Sequence, residues 1–83
     1  MTLTSSQTRV PTVVLYDIMT EAATRVRGAL VALQDKHPEN ADLYLREDIA
    51  LMDTIEAVGP DDREAITRTT EALRAEFNRL SAA

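Results

Sequence analysis

The stretch from Thr12 to Lys36 limits what this chain can fold into more than any other part of it. Leu15, Met19, Ala22, Val26, Ala29 and Leu33 recur at alternating steps of four and three, which places them along one side of a single long helix. A helix with one apolar side must bury that side against something else, so the rest of the chain reads as its cover.

That cover is helical too. Proline disfavours helical backbone at His37 and ends the first helix before Pro38. From there to Val58, Tyr44, Asp48, Leu51, Ile55 and Val58 form one line and Leu45, Ile49 and Met52 a second beside it, a broad apolar face interrupted by Asp48. Gly59 and Pro60 stop this helix, the glycine being suited to a left-handed cap. Ile66, Thr70, Leu73, Phe77 and Leu80 then repeat at four, three, four and three. Thr12 is expected to cap the first helix, and Asp61 with Glu64 resembles a capping box for the third. Glu21 with Arg25, Asp42 with Arg46 and Glu64 with Arg68 are spaced as i, i+4 ion pairs. Gly28 and the small residues around it suit close approach of another helix. Helices at about 12–36, 39–58 and 61–80, joined by tight turns, predict an all-α, antiparallel three-helix bundle with a long first helix, preceded by a loose arm over residues 1–11.

Charge narrows the partners. The chain has a net charge of −5 and fourteen acidic residues against nine basic ones, a poor match for nucleic acid, whose phosphates call for clustered Lys and Arg. The excess lies in Pro38 to Val58, where six acids face Arg46 alone, a stretch that would steer in a basic surface. No apolar run is long enough to span a bilayer, the N-terminal run does not read as a secretion signal, and there are no cysteines, so the expected setting is the cytoplasm, without membrane contact. A domain of 83 residues is modestly stable and would gain from a partner.

The residue types needed for catalysis are scarce. The single histidine, His37, sits in a turn with no evident orienting partner, and Gly28 and Gly59 are the only glycines, in the wrong settings for a phosphate loop. The acid pairs Glu47/Asp48 and Asp61/Asp62 are adjacent in sequence and diverge around a helix. The reading is a non-enzyme with no catalytic residue, no cofactor and no metal site. Met19 and Met52 are assigned to the core and Tyr44 to its edge.

The start of the first helix is different. Val13, Val14, Leu15 and Tyr16 are four consecutive large apolar residues that point all around the helix, whereas a three-helix bundle buries one face. The surplus calls for a cover from outside. A partner-binding end is therefore expected, with Val13, Tyr16, Asp17, Thr20, Glu21 and Thr24 on the open side. The alternatives are that the arm folds back over it or that a second copy packs there.

The three segments LYDIMTEAATRVRGALVAL, NADLYLREDIALMDTIEAV and EAITRTTEALRAEFNRL, in this order and with this acidity, resemble the epsilon antitoxins of bacterial epsilon/zeta toxin–antitoxin modules. The likeness covers residues 12 to 80 in helix order, helix length and charge rather than through a diagnostic motif. It implies a non-catalytic inhibitor of a zeta toxin, a P-loop kinase acting on a nucleotide-activated amino sugar of cell-wall synthesis. The N-terminal part of the antitoxin would cover the toxin's nucleotide site, with a homodimer or a two-plus-two heterotetramer as the assembly. The competing expectation is a structural or adaptor module that self-associates through the long helix.

Overall fold

Pro11 starts the first helix with its carbonyl, which accepts hydrogen bonds from the backbone N–H of Val14 (3.0 Å) and Leu15 (3.1 Å). The computed structural model describes residues 10–83, and of the expected arm residues 1–9 lie outside the described residues. α1 spans Thr12–Lys36, a short 3-10 turn spans Pro38–Asn40, α2 spans Ala41–Glu56 and α3 spans Arg63–Ser81. α1 and α3 run in the same direction, with α2 antiparallel to both. Arg63 at the head of α3 meets Val10 and Thr12, whereas Asp48 in the middle of α2 meets Arg27 in the second half of α1.

The expected caps differ in detail. Thr12 does not cap α1. It is already helical, and its hydroxyl instead accepts a hydrogen bond from Arg63 at 3.1 Å. The same guanidinium donates to the Val10 carbonyl at 2.6 Å, tying the first turn of α3 to the start of α1. At α3 the cap is Asp62 rather than Asp61. A turn closed by Asp62 N–H on the Gly59 carbonyl uses one more residue, and the Asp62 carboxylate then accepts from Ala65 N–H at 3.0 Å. Glu64 does not complete a capping box; it pairs with Arg68 at 3.6 Å. Among the described residues the other two expected pairs, Glu21 with Arg25 and Asp42 with Arg46, do not form, and these exposed charges gain little by leaving water. Gly59 does not adopt the left-handed backbone expected of it. α2 closes in tight turns at Ala57 and Val58, and Pro60 disfavours helical backbone at Gly59 without any left-handed cap.

Gly28 corrects another expectation. A Cβ built there meets no atom within 4 Å, so no helix approaches it. With open space and helical backbone, Gly28→Ala is expected to stabilise the fold by about 1 kcal/mol, read as a rise in melting temperature of about 4–8 °C.

The core lies between α1 and α3. α1 buries Met19, Ala23, Val26, Leu30 and Leu33, and α3 buries Ile66, Thr70, Leu73 and Leu80. The stripe on α1 is rotated slightly from the expected one, with Ala22 and Ala29 half-buried beside it. On α3 the spacing reads through directly, and the hydroxyl of buried Thr70 donates to the Ile66 carbonyl at 2.9 Å, so its polarity is satisfied within the helix. α2 contributes no buried residue. Its first line, Tyr44, Leu51, Ile55 and Val58, lies half-buried against the core, as an edge. Its second line remains in solvent, with Leu45 47%, Ile49 54% and Met52 40% exposed, so Met52 is not a core residue. α2 packs along α1, and its reach toward α3 includes an ion pair between Glu47 and Arg79, leaving nothing to cover that second line.

Candidate functional site

Two of the acids of α2 are neutralised by arginines of the neighbouring helices. Asp48, which interrupts the apolar line facing α1, is held by Arg27: Nε donates to Oδ1 at 2.8 Å and a terminal nitrogen to Oδ2 at 3.4 Å. This hydrogen bond and the charge of Asp48 raise the Arg27 pKa above its ordinary value. Glu47 accepts from Arg79 at 3.3 Å, and Arg79 also binds Glu76 on its own helix through Nε at 3.0 Å and through a second, shorter contact. The hydrogen bond from Arg79 holds the Glu76 carboxyl below the usual carboxylate range, against a smaller opposing effect of burial. A depressed folded pKa contributes stability above the unfolded value of about 4.3 that is lost as pH falls through the folded one. Arg79→Met is therefore expected to lower the melting temperature at pH 7 and to flatten its decline below about pH 4.3, measured by melting from pH 7 to 3.

The start of α1 presents apolar surface with nothing over it among the described residues. Val13 is 67% exposed, Val14 40% and Ile18 37%, and Val10 just before the helix is exposed as well. Leu15 and Tyr16, by contrast, are half-buried and pack on the core. The bundle thus takes up two of the four consecutive apolar residues and leaves two out.

The helix brings the six expected contact residues to one side, but not equally. Val13, Asp17, Glu21 and Thr24 are exposed, whereas Thr20 and Tyr16 are half-buried, and Tyr16 is committed in part to the fold. The two threonines spend their hydroxyl protons on their own helix, Thr20 donating to the Asp17 carbonyl at 2.9 Å and Thr24 to the Thr20 carbonyl at 3.0 Å. What they offer outward is methyl groups and oxygen lone pairs. Asp17 and Glu21 stand beside the valines as exposed carboxylates, and Glu21 also borders an open groove between α1 and α3 with Ile18, Arg25, Arg74 and Phe77.

Val14 and Ile18 belong to this surface and were not singled out by the sequence pattern, although Val14 lies inside the four-residue run that signals it. Thr20 and Thr24, at the edge of this side that faces α2, share with Arg27 a second shallow groove that Leu51, Met52, Ile55 and Glu56 of α2 complete. His37 sits in its turn with Nδ1 3.4 Å from a Glu39 carboxylate oxygen. Among the described residues no three His, Asp or Glu side chains gather as a metal-binding group, and no helix is long and apolar enough to cross a membrane. Comparison with protein-family models, curated proteins and solved structures returned no match.

Proposed function

We propose that this protein is a non-catalytic inhibitor of the antitoxin kind, which neutralises a zeta-like P-loop kinase by laying the first turns of α1 over its nucleotide or substrate cleft. The observation that supports this reading is the uncovered apolar start of α1, Val13 on one side and Val14 with Ile18 on the other, with the exposed carboxylates Asp17 and Glu21 between them. Apolar area that a bundle cannot hide is the usual mark of a protein interface, and adjacent carboxylates suit a cleft built to hold phosphates. The likeness of helix order and acidity to the epsilon antitoxins supports the choice of partner. Co-expression with the product of the neighbouring reading frame tests it: a stable complex with a kinase whose nucleotide binding is blocked is the expected result, and no complex with a kinase-like neighbour would overturn it.

A second reading rests on the same surface. A self-associating adaptor module would bury Val13 and Val14 against another copy of α1. Sedimentation of the isolated chain separates the two, because the adaptor is a tight dimer that Val13→Asp dissociates.

A further inference from the structure

We propose that the exposed apolar flank of α2 is a second docking surface, and that its occupant is a positively charged amphipathic helix. Leu45, Ile49 and Met52 follow one another at four and three and are all substantially exposed, so they form an apolar strip along one side of a helix whose other apolar side already rests on α1. The charge around the strip identifies what it suits. Of the carboxylates on α2, Glu47 and Asp48 turn inward and are neutralised by Arg79 and Arg27. The remaining three, Asp42, Asp53 and Glu56, are exposed and form no ion pair among the described residues.

Helical spacing places all three on the strip. Asp42 and Glu56 lie seven residues before and after Ile49, closing its two ends, and Asp53 lies four residues on from Ile49 along its edge. Arg46, three residues before Ile49, is the single opposing charge there. An apolar stripe bordered by unpaired carboxylates is complementary to a helix with leucine-like residues on one face and Lys or Arg beside them. A second copy of this chain would bring the same three acids against these, and an anionic membrane would be repelled by them.

The strip borders the side of α1 assigned to the inhibitor, since Met52 and Glu56 share a groove with Thr20 and Thr24, but its central residue Ile49 and the inhibitor's Val13 stand on different helices and are tested separately. The test uses the full chain and two labelled model peptides, one an amphipathic helix with a leucine face flanked by lysines, the other the same helix with glutamates in place of the lysines. Fluorescence anisotropy is expected to show the lysine peptide binding at least about tenfold tighter at low salt, with the preference shrinking as salt rises. Ile49→Glu should remove most of that affinity, and Asp53→Lys with Glu56→Lys should abolish the preference. Val13→Asp should leave it unchanged. All four positions are exposed, and unchanged melting curves show that the variants are folded. Equal binding of the two peptides, no binding of either, insensitivity to Ile49→Glu, or a dimer of the free chain that Ile49→Glu dissociates would each overturn the proposal, the last by giving the strip to a second copy.

Discussion

Ile66→Ala is expected to lower the free energy of unfolding by about 2–5 kcal/mol, with the urea midpoint falling and the slope unchanged. Ile66 is fully buried, and it stands in the first turns of α3, where Arg63 pins that helix to the start of α1. The truncation leaves a cavity between α1 and α3, the helices that supply every buried core residue among those described, and α2 has no buried side chain with which to fill it. A domain of this size has only about 4–12 kcal/mol to lose, so the variant is expected to be partly unfolded at 37 °C. The companion measurement is Ile49→Ala. The same chemical change on the exposed flank of α2 should move stability by no more than about 0.5 kcal/mol. If the two variants proved equally destabilised, the assignment of the core to the α1–α3 pair would be wrong.

That contrast also marks where the sequence is legible and where it is not. On α3 the stripe of Ile66, Thr70, Leu73, Phe77 and Leu80 is the face that packs, because that helix has one apolar line and one way to bury it. On α2 there are two apolar lines side by side, and periodicity treats both as core. Which line turns inward depends on how many neighbours the helix has. α2 leans along α1 and reaches α3 through the ion pair of Glu47 with Arg79, so the line containing Asp48 packs and the purely apolar one does not. A carboxylate on the inward line looks like an interruption in the sequence; in the fold it is answered by Arg27, which lies 21 residues away in the chain. The caps failed for a local reason. A single extra residue in the turn after Gly59 shifts the cap from Asp61 to Asp62, and two adjacent aspartates offer no sequence signal to choose between them. Gly28 has a helix-packing composition around it but faces solvent, and composition does not carry direction. The surplus at Val13 to Tyr16 was legible because it is a matter of counting: four consecutive large residues exceed what one packed face can hide.

Val13→Asp is the variant expected to disable the proposed inhibitor while sparing its fold. Val13 is the most exposed large apolar residue described and sits one turn from Asp17, so a charge there costs the isolated chain little beyond a weak repulsion. In a complex with the kinase the same carboxylate would be buried in apolar surroundings without a partner, and the penalty of roughly 3 kcal/mol corresponds to about a hundredfold weaker binding. The expected pattern is an unchanged melting curve, a dissociation rate raised by about that factor, and kinase activity recovered in its presence. Tyr16→Ala cannot make this separation, since Tyr16 packs on the core and its loss should weaken the fold and the complex together. Asp17→Asn with Glu21→Gln asks a different question of the same surface. If these carboxylates steer the approach to a phosphate-binding cleft, their removal slows association and reduces its salt dependence while leaving dissociation nearly unchanged. A Val13→Asp variant that still bound and silenced the kinase at wild-type strength would show that the first turns of α1 lie outside the interface, and occlusion of the cleft by this helix would have to be abandoned.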